Sequence, residues 1–103
     1  MNCVSISTSE AWFSELFGRE PDAKPMAGLC EWCHGDSAGL QLFENGKDAG
    51  HGALTMIVRD LHAERVRLEA AGLAPGPIEP ATTTSLVRLT DPDRNLIVLA
   101  QPR

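Results

Sequence analysis

The sequence predicts an α+β fold in which one β-α-β-β-β unit is used twice, and two observations carry that prediction. Two segments of helical periodicity, near residues 8–17 and 61–71, are each followed by a Pro-containing irregular stretch and then by strand, five-residue turn and strand. The spacing repeats along with the order: Gly18 to Leu40 is 22 residues and Gly72 to Leu96 is 24. Self-similarity of this kind is the mark of a duplicated supersecondary unit.

A first strand is expected over Cys3 to Ile6. Ser7 and Glu10 are spaced as a capping box, and Trp12, Phe13, Leu16 and Phe17 recur at helical intervals until Gly18 supplies the usual glycine stop. A short extended piece near Lys24 to Met26 precedes a strand from Leu29 to His34, the turn Gly35-Asp36-Ser37-Ala38-Gly39, and a strand from Leu40 to Glu44. Asn45 to Gly52 then reads as the linker between the halves. The second half opens with a strand from Ala53 to Val58, and Asp60 is a good N-cap for a helix from Leu61 to Ala71. That helix carries apolar Leu61, Val66 and Leu68 and an Arg65 to Glu69 pair, with Gly72 beyond its end. An extended piece near Pro77 to Glu79 is followed by apolar runs Ser85 to Thr90 and Leu96 to Ala100, which flank the turn Asp91-Pro92-Asp93-Arg94-Asn95.

A chain of 103 residues is one domain, with module one at about 1–47 and module two at about 50–103. Hydrophobic residues at 43% and charged residues at 22% are the composition of an ordinary globular protein. Nine basic against fourteen acidic residues give a net charge of −5, which repels phosphate backbones, so nucleic acid is not an expected partner. The residues Met1-Asn2-Cys3-Val4-Ser5-Ile6 lack both a basic region and a long apolar region, and no segment approaches the roughly 18 apolar residues of a membrane span. No membrane partner and a cytoplasmic location are therefore expected. Three cysteines are an odd number in a chain this size, which favours free thiols in a reducing compartment.

Cys30-Glu31-Trp32-Cys33-His34 matches the spacing of covalent haem attachment and invites redox or zinc readings. The expected strand argues against all three, because it points Cys30 and Cys33 to opposite faces. Cys30 and Trp32 are then core residues. His62, in the first turn of the second helix, is expected at the surface.

With its repeat established, the chain resembles the vicinal oxygen chelate superfamily, which holds glyoxalase I, the bleomycin-resistance proteins and the extradiol dioxygenases. Three stretches carry the resemblance: Trp12-Phe13-Ser14-Glu15-Leu16-Phe17-Gly18; Val58-Arg59-Asp60-Leu61 leading into Leu68-Glu69-Ala70-Ala71-Gly72; and Asp91-Pro92-Asp93-Arg94-Asn95. The resemblance implies two tandem βαβββ modules forming a curled mixed sheet, or cup, with helices on the outer face, a small-molecule site inside and completion as a homodimer. Arg94 stands where the family has a glycine, so it must adopt that glycine's backbone geometry.

Catalytic relatives hold a divalent ion through His, Glu or Gln side chains on the first and last strands of each module, and the ion acts as a Lewis acid. By the resemblance, the second-module positions are Ala53 and Val98, neither of which coordinates. In the first module the last-strand position is Gln41 or Leu42, alternation favouring Gln41 in the cup, and the first-strand position falls at or before Cys3. One amide does not make a metal site, so no metal, cofactor or catalytic residue is expected. His51 is the one displaced candidate; between Gly50 and Gly52 it reads as a solvated linker residue.

Alternation places Glu31 and Cys33 in the cup from one module and Leu86, Arg88 and Thr90 from the other, with Ala53, Thr55, Ile57, Val98 and Ala100 along the adjoining strands. The ligand-binding set is Glu31, Gln41, Thr55, Arg88 and Val98, in a mainly apolar pocket with few polar groups. Arg88 has three possible uses: an anionic or carbonyl-bearing ligand, Glu31 across the cup, or solvent. The leading expectation is a small-molecule-binding protein without metal catalysis, of sequestration or resistance type. The alternative is a metal-dependent lyase or dioxygenase-like enzyme with displaced ligands such as His51 and Gln41, and a third reading is a structural or regulatory partner with a collapsed cup.

Overall fold

The computed structural model describes residues 1–36 and 38–103; Ser37, in the first predicted turn, lies outside the described residues. The elements run β1 (Asn2–Cys3), α1 (Ile6–Phe17), β2 (Ala23–Met26), β3 (Leu29–His34), β4 (Ala38–Glu44), β5 (Ala53–Ile57), α2 (Leu61–Ala70), β6 (Glu79–Pro80), β7 (Thr84–Thr90) and β8 (Leu96–Pro102). They form two four-stranded mixed sheets ordered β1-β4-β3-β2 and β5-β8-β7-β6. In each, the first strand of the unit lies parallel to the last and the other neighbours are antiparallel. The fold is α+β, one βαβββ unit used twice, as the sequence predicts.

The duplication extends to how each helix starts. Ser5 and Asp60 are the N-caps, accepting from the Thr8 and Ala63 N–H groups. A side chain from the end of each module's last strand then reaches the first helical N–H: Glu44 Oε1 accepts from Ile6 at 3.1 Å and Gln101 Oε1 from Leu61 at 2.7 Å. Each start thus satisfies N–H groups that the helix itself leaves unpaired. The capping box expected at Ser7 and Glu10 is not formed, because the helix begins at Ile6 and Glu10 is drawn to Lys24, 2.9 Å away. Ile6 is accordingly helical, and the first strand is Asn2–Cys3, not Cys3 to Ile6. Gly18 ends α1 in the left-handed region at φ 71° as expected, and Arg94 takes φ 71° where the resemblance calls for glycine geometry.

Each helix packs on its own sheet, α1 on β3 and β4, α2 on β7 and β8. One continuous core joins Phe13, Leu16, Cys30, Trp32 and Leu42 from the first module to Leu61, Leu68, Val87, Leu89, Ile97 and Leu99 from the second. Trp32 lies against Phe17 and Phe13 with ring centroids 5.4 and 6.1 Å away, tilted pairs that each add about 0.5–1.5 kcal/mol beyond area burial.

Two polar ties lock the modules together. From α2, the Arg67 guanidinium donates to the Glu15 and Leu16 carbonyls at 2.8 and 2.7 Å, capping the last turn of α1, while Glu64 holds it from the side at 2.8 Å. From the last hairpin, Asp93 accepts from the Val4 N–H and the Ser9 hydroxyl, and the Asn95 amide donates to the Asn2 carbonyl at 3.0 Å. The Asp91 to Asn95 turn is itself built around the buried Asp91 carboxylate, which accepts from the Asp93 and Asn95 N–H groups and from the Asn95 amide at 2.7–2.9 Å.

Candidate functional site

With the helices covering one side of each sheet, strand alternation assigns the other residues to the open side. On β5, β8 and β7 the register lines up Thr55, Val98 and Arg88 in one transverse row, with Ile57, Ala100 and Leu86 in the row on one side and Ala53, Leu96 and Thr90 in the row on the other. On the first sheet Glu31 stands directly opposite Gln41, and Cys33 opposite Gly39. The expected ligand-binding residues therefore fall on open sheet faces in two groups, Glu31 with Gln41 and Thr55 with Val98 and Arg88.

A broad depression of about 620 Å³ on the first sheet is lined by Glu31, Cys33, Gln41 and Phe43 and contains no residue of the second sheet. Glu31 and Gln41 are thus not joined there with Thr55, Val98 and Arg88. Arg88 ion-pairs with Glu79, its Nε 3.3 Å from Oε2, and not with Glu31. The reason is local: β6 forms at Glu79–Pro80, starting two residues later than the expected Pro77 to Glu79 piece, and its register sets Glu79 opposite Leu86, two residues from Arg88 on β7. Ala100, expected to line the cup, is 4% exposed, a small side chain between Ile57 and Leu86 in its row.

The apolar share of these faces is large and uncovered. Ile57 is 69% exposed, Met26 65%, Phe43 39% and Leu96 37%. They are two on each sheet, Met26 and Phe43 on the first and Ile57 and Leu96 on the second.

The residues do not fit the divalent ion of catalytic relatives. Ala53 and Val98 have no donor atom, and on the open face of the first sheet Gln41 offers a single amide oxygen. Among the described residues no group of three His, Cys, Asp or Glu side chains is placed to hold a metal. His51 is exposed in the linker, and His62 is exposed on α2.

The Cys-x-x-Cys-His stretch is split by its strand. Cys30 is buried, its Sγ 3.2 Å from Glu10, and burial together with that carboxylate pushes its thiol up to about 11. Cys33 is exposed on the opposite face, and its backbone N–H donates to Asp22 at 2.6 Å. Cys3 is buried as well, which raises its thiol. Neither Cys3 nor Cys30 is a ready nucleophile, since reactivity follows the thiolate.

At the level of sequence alone, no family model and no curated protein matches the chain. Its fold is shared closely by a glyoxalase/bleomycin resistance protein from Catenulispora acidiphila, with a TM-score of 0.91, 26% identity, and coverage of 100% of this chain and 94% of that one. By fold, the chain is similar to proteins of the vicinal oxygen chelate superfamily. Two further proteins of similar structure are an antibiotic binding protein from a Streptomyces species (TM-score 0.82, 22% identity, covering 100% of this chain and 93% of that one) and a lactoylglutathione lyase from Agrobacterium tumefaciens (0.82, 18%, 98% and 88%). The superfamily thus spans binding proteins and enzymes on one scaffold, so its name settles architecture and leaves chemistry to the residues of the site. In this chain those positions hold Ala53 and Val98, which have no donor atom, and the single amide of Gln41.

Sequence reasoning found the faces and missed the ties. Glu44, Gln101 and Arg67 did not stand out, yet Glu44 and Gln101 had a signal. The two-residue excess of the second spacing over the first, 24 against 22, equals the excess in their reach back to the helix, 40 residues against 38.

Proposed function

We propose that this protein binds a small apolar or amphipathic molecule without metal chemistry, in a cup that two copies of the chain complete. The observation that carries the reading is the open face of the second sheet, where Thr55, Val98 and Arg88 share one row beside Ile57, Ala100 and Leu86. Such a wall binds by shape and apolar burial, and offers one hydroxyl and one guanidinium for orientation. Glu31 and Gln41 supply polar groups from the first sheet of the partner copy, which places all five residues about one ligand. The exposed apolar side chains on both sheets favour that second copy, because pairing removes them from water. The antibiotic binding protein of the same fold supports the binding class.

Light scattering on untagged protein should return twice the mass of one chain, and Ile57→Glu should return the single mass. A single mass for the parent would remove the dimer. Calorimetry with nickel, zinc, cobalt and ferrous ions, run beside a titration with the apolar dye anilinonaphthalene sulfonate, tests the chemistry. Dye uptake that Val98→Asp abolishes is the expected result. Stoichiometric metal binding weakened by His51→Ala would replace this reading with the enzymatic one.

A further inference from the structure

The four strands of the second sheet carry two charged residues, Glu79 on β6 and Arg88 on β7; every other position on them is apolar, hydroxyl, amide or proline. Both charges stand on the open face. Arg88 is opposite Val98, and Glu79 is opposite Leu86, the next residue of β7 on the same side as Arg88. Directly opposed residues project from one face of a sheet, so Glu79 extends the row of Ile57, Ala100 and Leu86 by one strand. The two side chains meet at 3.3 Å between Oε2 and Nε, with Arg88 57% and Glu79 42% exposed.

An ion pair this open to water adds little to stability. Its effect falls on what enters the cup. Alone on an otherwise uncharged wall, Arg88 would draw anions, because its fork of donors matches a carboxylate or sulfonate. Glu79 already holds that place. An incoming anion has to displace a carboxylate tied to the same chain, and it meets a face whose net charge is zero. When a ligand covers the pair and water leaves, the opposition grows, since the effective dielectric falls. A neutral acceptor meets no such opposition. Glu79 comes closest at Nε, the inner nitrogen, so the terminal nitrogens of Arg88 keep N–H groups for a carbonyl or hydroxyl oxygen. Thr55 adds a hydroxyl in the same row.

On the reading of this face as the binding wall, we infer that the cup takes an uncharged amphipathic molecule bearing a carbonyl or hydroxyl oxygen, and that Glu79 excludes anionic ones by neutralising Arg88. Glu79 is thus the residue that sets specificity. Apolar burial against Val98, Ile57 and Leu86 is common to both classes of ligand and does not separate them. The net charge of −5 acts in the same direction, but exposed charges more than about 8–10 Å away are largely screened at physiological salt, so the local pair decides.

The test compares two naphthalene dyes on the full chain, the anionic anilinonaphthalene sulfonate and the uncharged ketone prodan, with dissociation constants read by fluorescence at low salt. Glu79→Gln should raise the ratio of sulfonate affinity to ketone affinity about fourfold, the effect of one charge felt at about 5 Å through water. Arg88→Gln should lower the same ratio, because it leaves Glu79 alone on the face. Glu69→Gln removes a carboxylate from the ion pair with Arg65 on α2, away from the open face, and should leave the ratio within about 1.5-fold of the parent. A ratio that Glu79→Gln leaves unchanged would overturn the inference. So would an equal rise with Glu69→Gln, which would reduce the effect to net charge. The wall itself is checked by Val98→Asp, which should weaken the ketone about tenfold or more. Ketone binding that Val98→Asp leaves unchanged would remove the wall and the inference together, whereas weakened ketone binding without a Glu79 response would overturn the inference alone.

Discussion

Replacing Arg67 with methionine keeps the apolar stem and removes the fork that joins the modules. The guanidinium makes two short bonds to the carbonyls of Glu15 and Leu16, and the Arg67 side chain is 39% exposed against 35% for its Glu64 partner. Hydrogen bonds to a charged group are worth about 1.5–3 kcal/mol each when buried. Partial exposure reduces that, and the Glu64 pair adds little because it is open to solvent. Loss of the fork should therefore cost about 2 kcal/mol, which for a domain of this size lowers Tm by roughly 10 °C. Arg67→Lys should recover less than half of the loss, since a single ammonium cannot present two donors in fixed geometry to both carbonyls. Glu64→Gln alone should cost under about 0.5 kcal/mol. Urea unfolding followed by circular dichroism measures all three through the midpoint at constant slope. A loss below about 0.5 kcal/mol for Arg67→Met, or full rescue by lysine, would refute the claim that this side chain caps α1.

Asp91→Ala should cost about 2–4 kcal/mol by urea unfolding, because a 4%-exposed carboxylate leaves three donors without an acceptor, and Asp91→Asn should restore only part of that by turning an amide N–H toward the Asn95 amide. With Ellman's reagent at most one of three thiols should react before unfolding; labelling of Cys3 or Cys30 in the folded protein would contradict their burial. Stability should fall on both sides of neutrality. Lys24 holds the Glu10 carboxyl below its ordinary 4.5, and the Cys33 N–H with Arg19 holds Asp22 below 3.8, so their contribution is present above those values and is lost as pH falls through the lowered ones. Burial raises Cys3 and Cys30 above 9.0, so their contribution is present below that pH and is lost as pH rises toward about 11. A urea midpoint that increases below pH 4 or above pH 9 would contradict this assignment.

The architecture was legible because its signals are local. Helical periodicity around Phe13 and Leu68, the glycine at position 18 and the two apolar runs flanking Asp91 to Asn95 each announce an element within a few residues, and the repeat orders them. The helix starts were less legible. Ser7 has the spacing of a cap, but Ser5 and the reach of Glu44 from a strand 38 residues away decide where α1 begins. The site was legible as faces, since alternation alone sorts Glu31, Gln41, Thr55, Arg88 and Val98 onto the open sides. It was not legible as partnerships. Arg88 finds Glu79 through the register of a two-residue strand, which no periodicity reveals.

Asp93 and Asn95 bind Val4, Ser9 and Asn2 across separations of 89, 84 and 93 residues. During synthesis, then, the start of α1 waits for almost the whole chain before its last hydrogen bonds can form. Contacts of such long sequence separation slow folding, because the loop must close before the bonds reward it. A nascent chain halted in the linker at Asn45 to Gly52 would carry a first module with its α1 carbonyls uncapped and its N-terminal turn unanchored. Although the two modules repeat one plan, they should mature together, and release of the last hairpin sets the moment at which the first becomes stable.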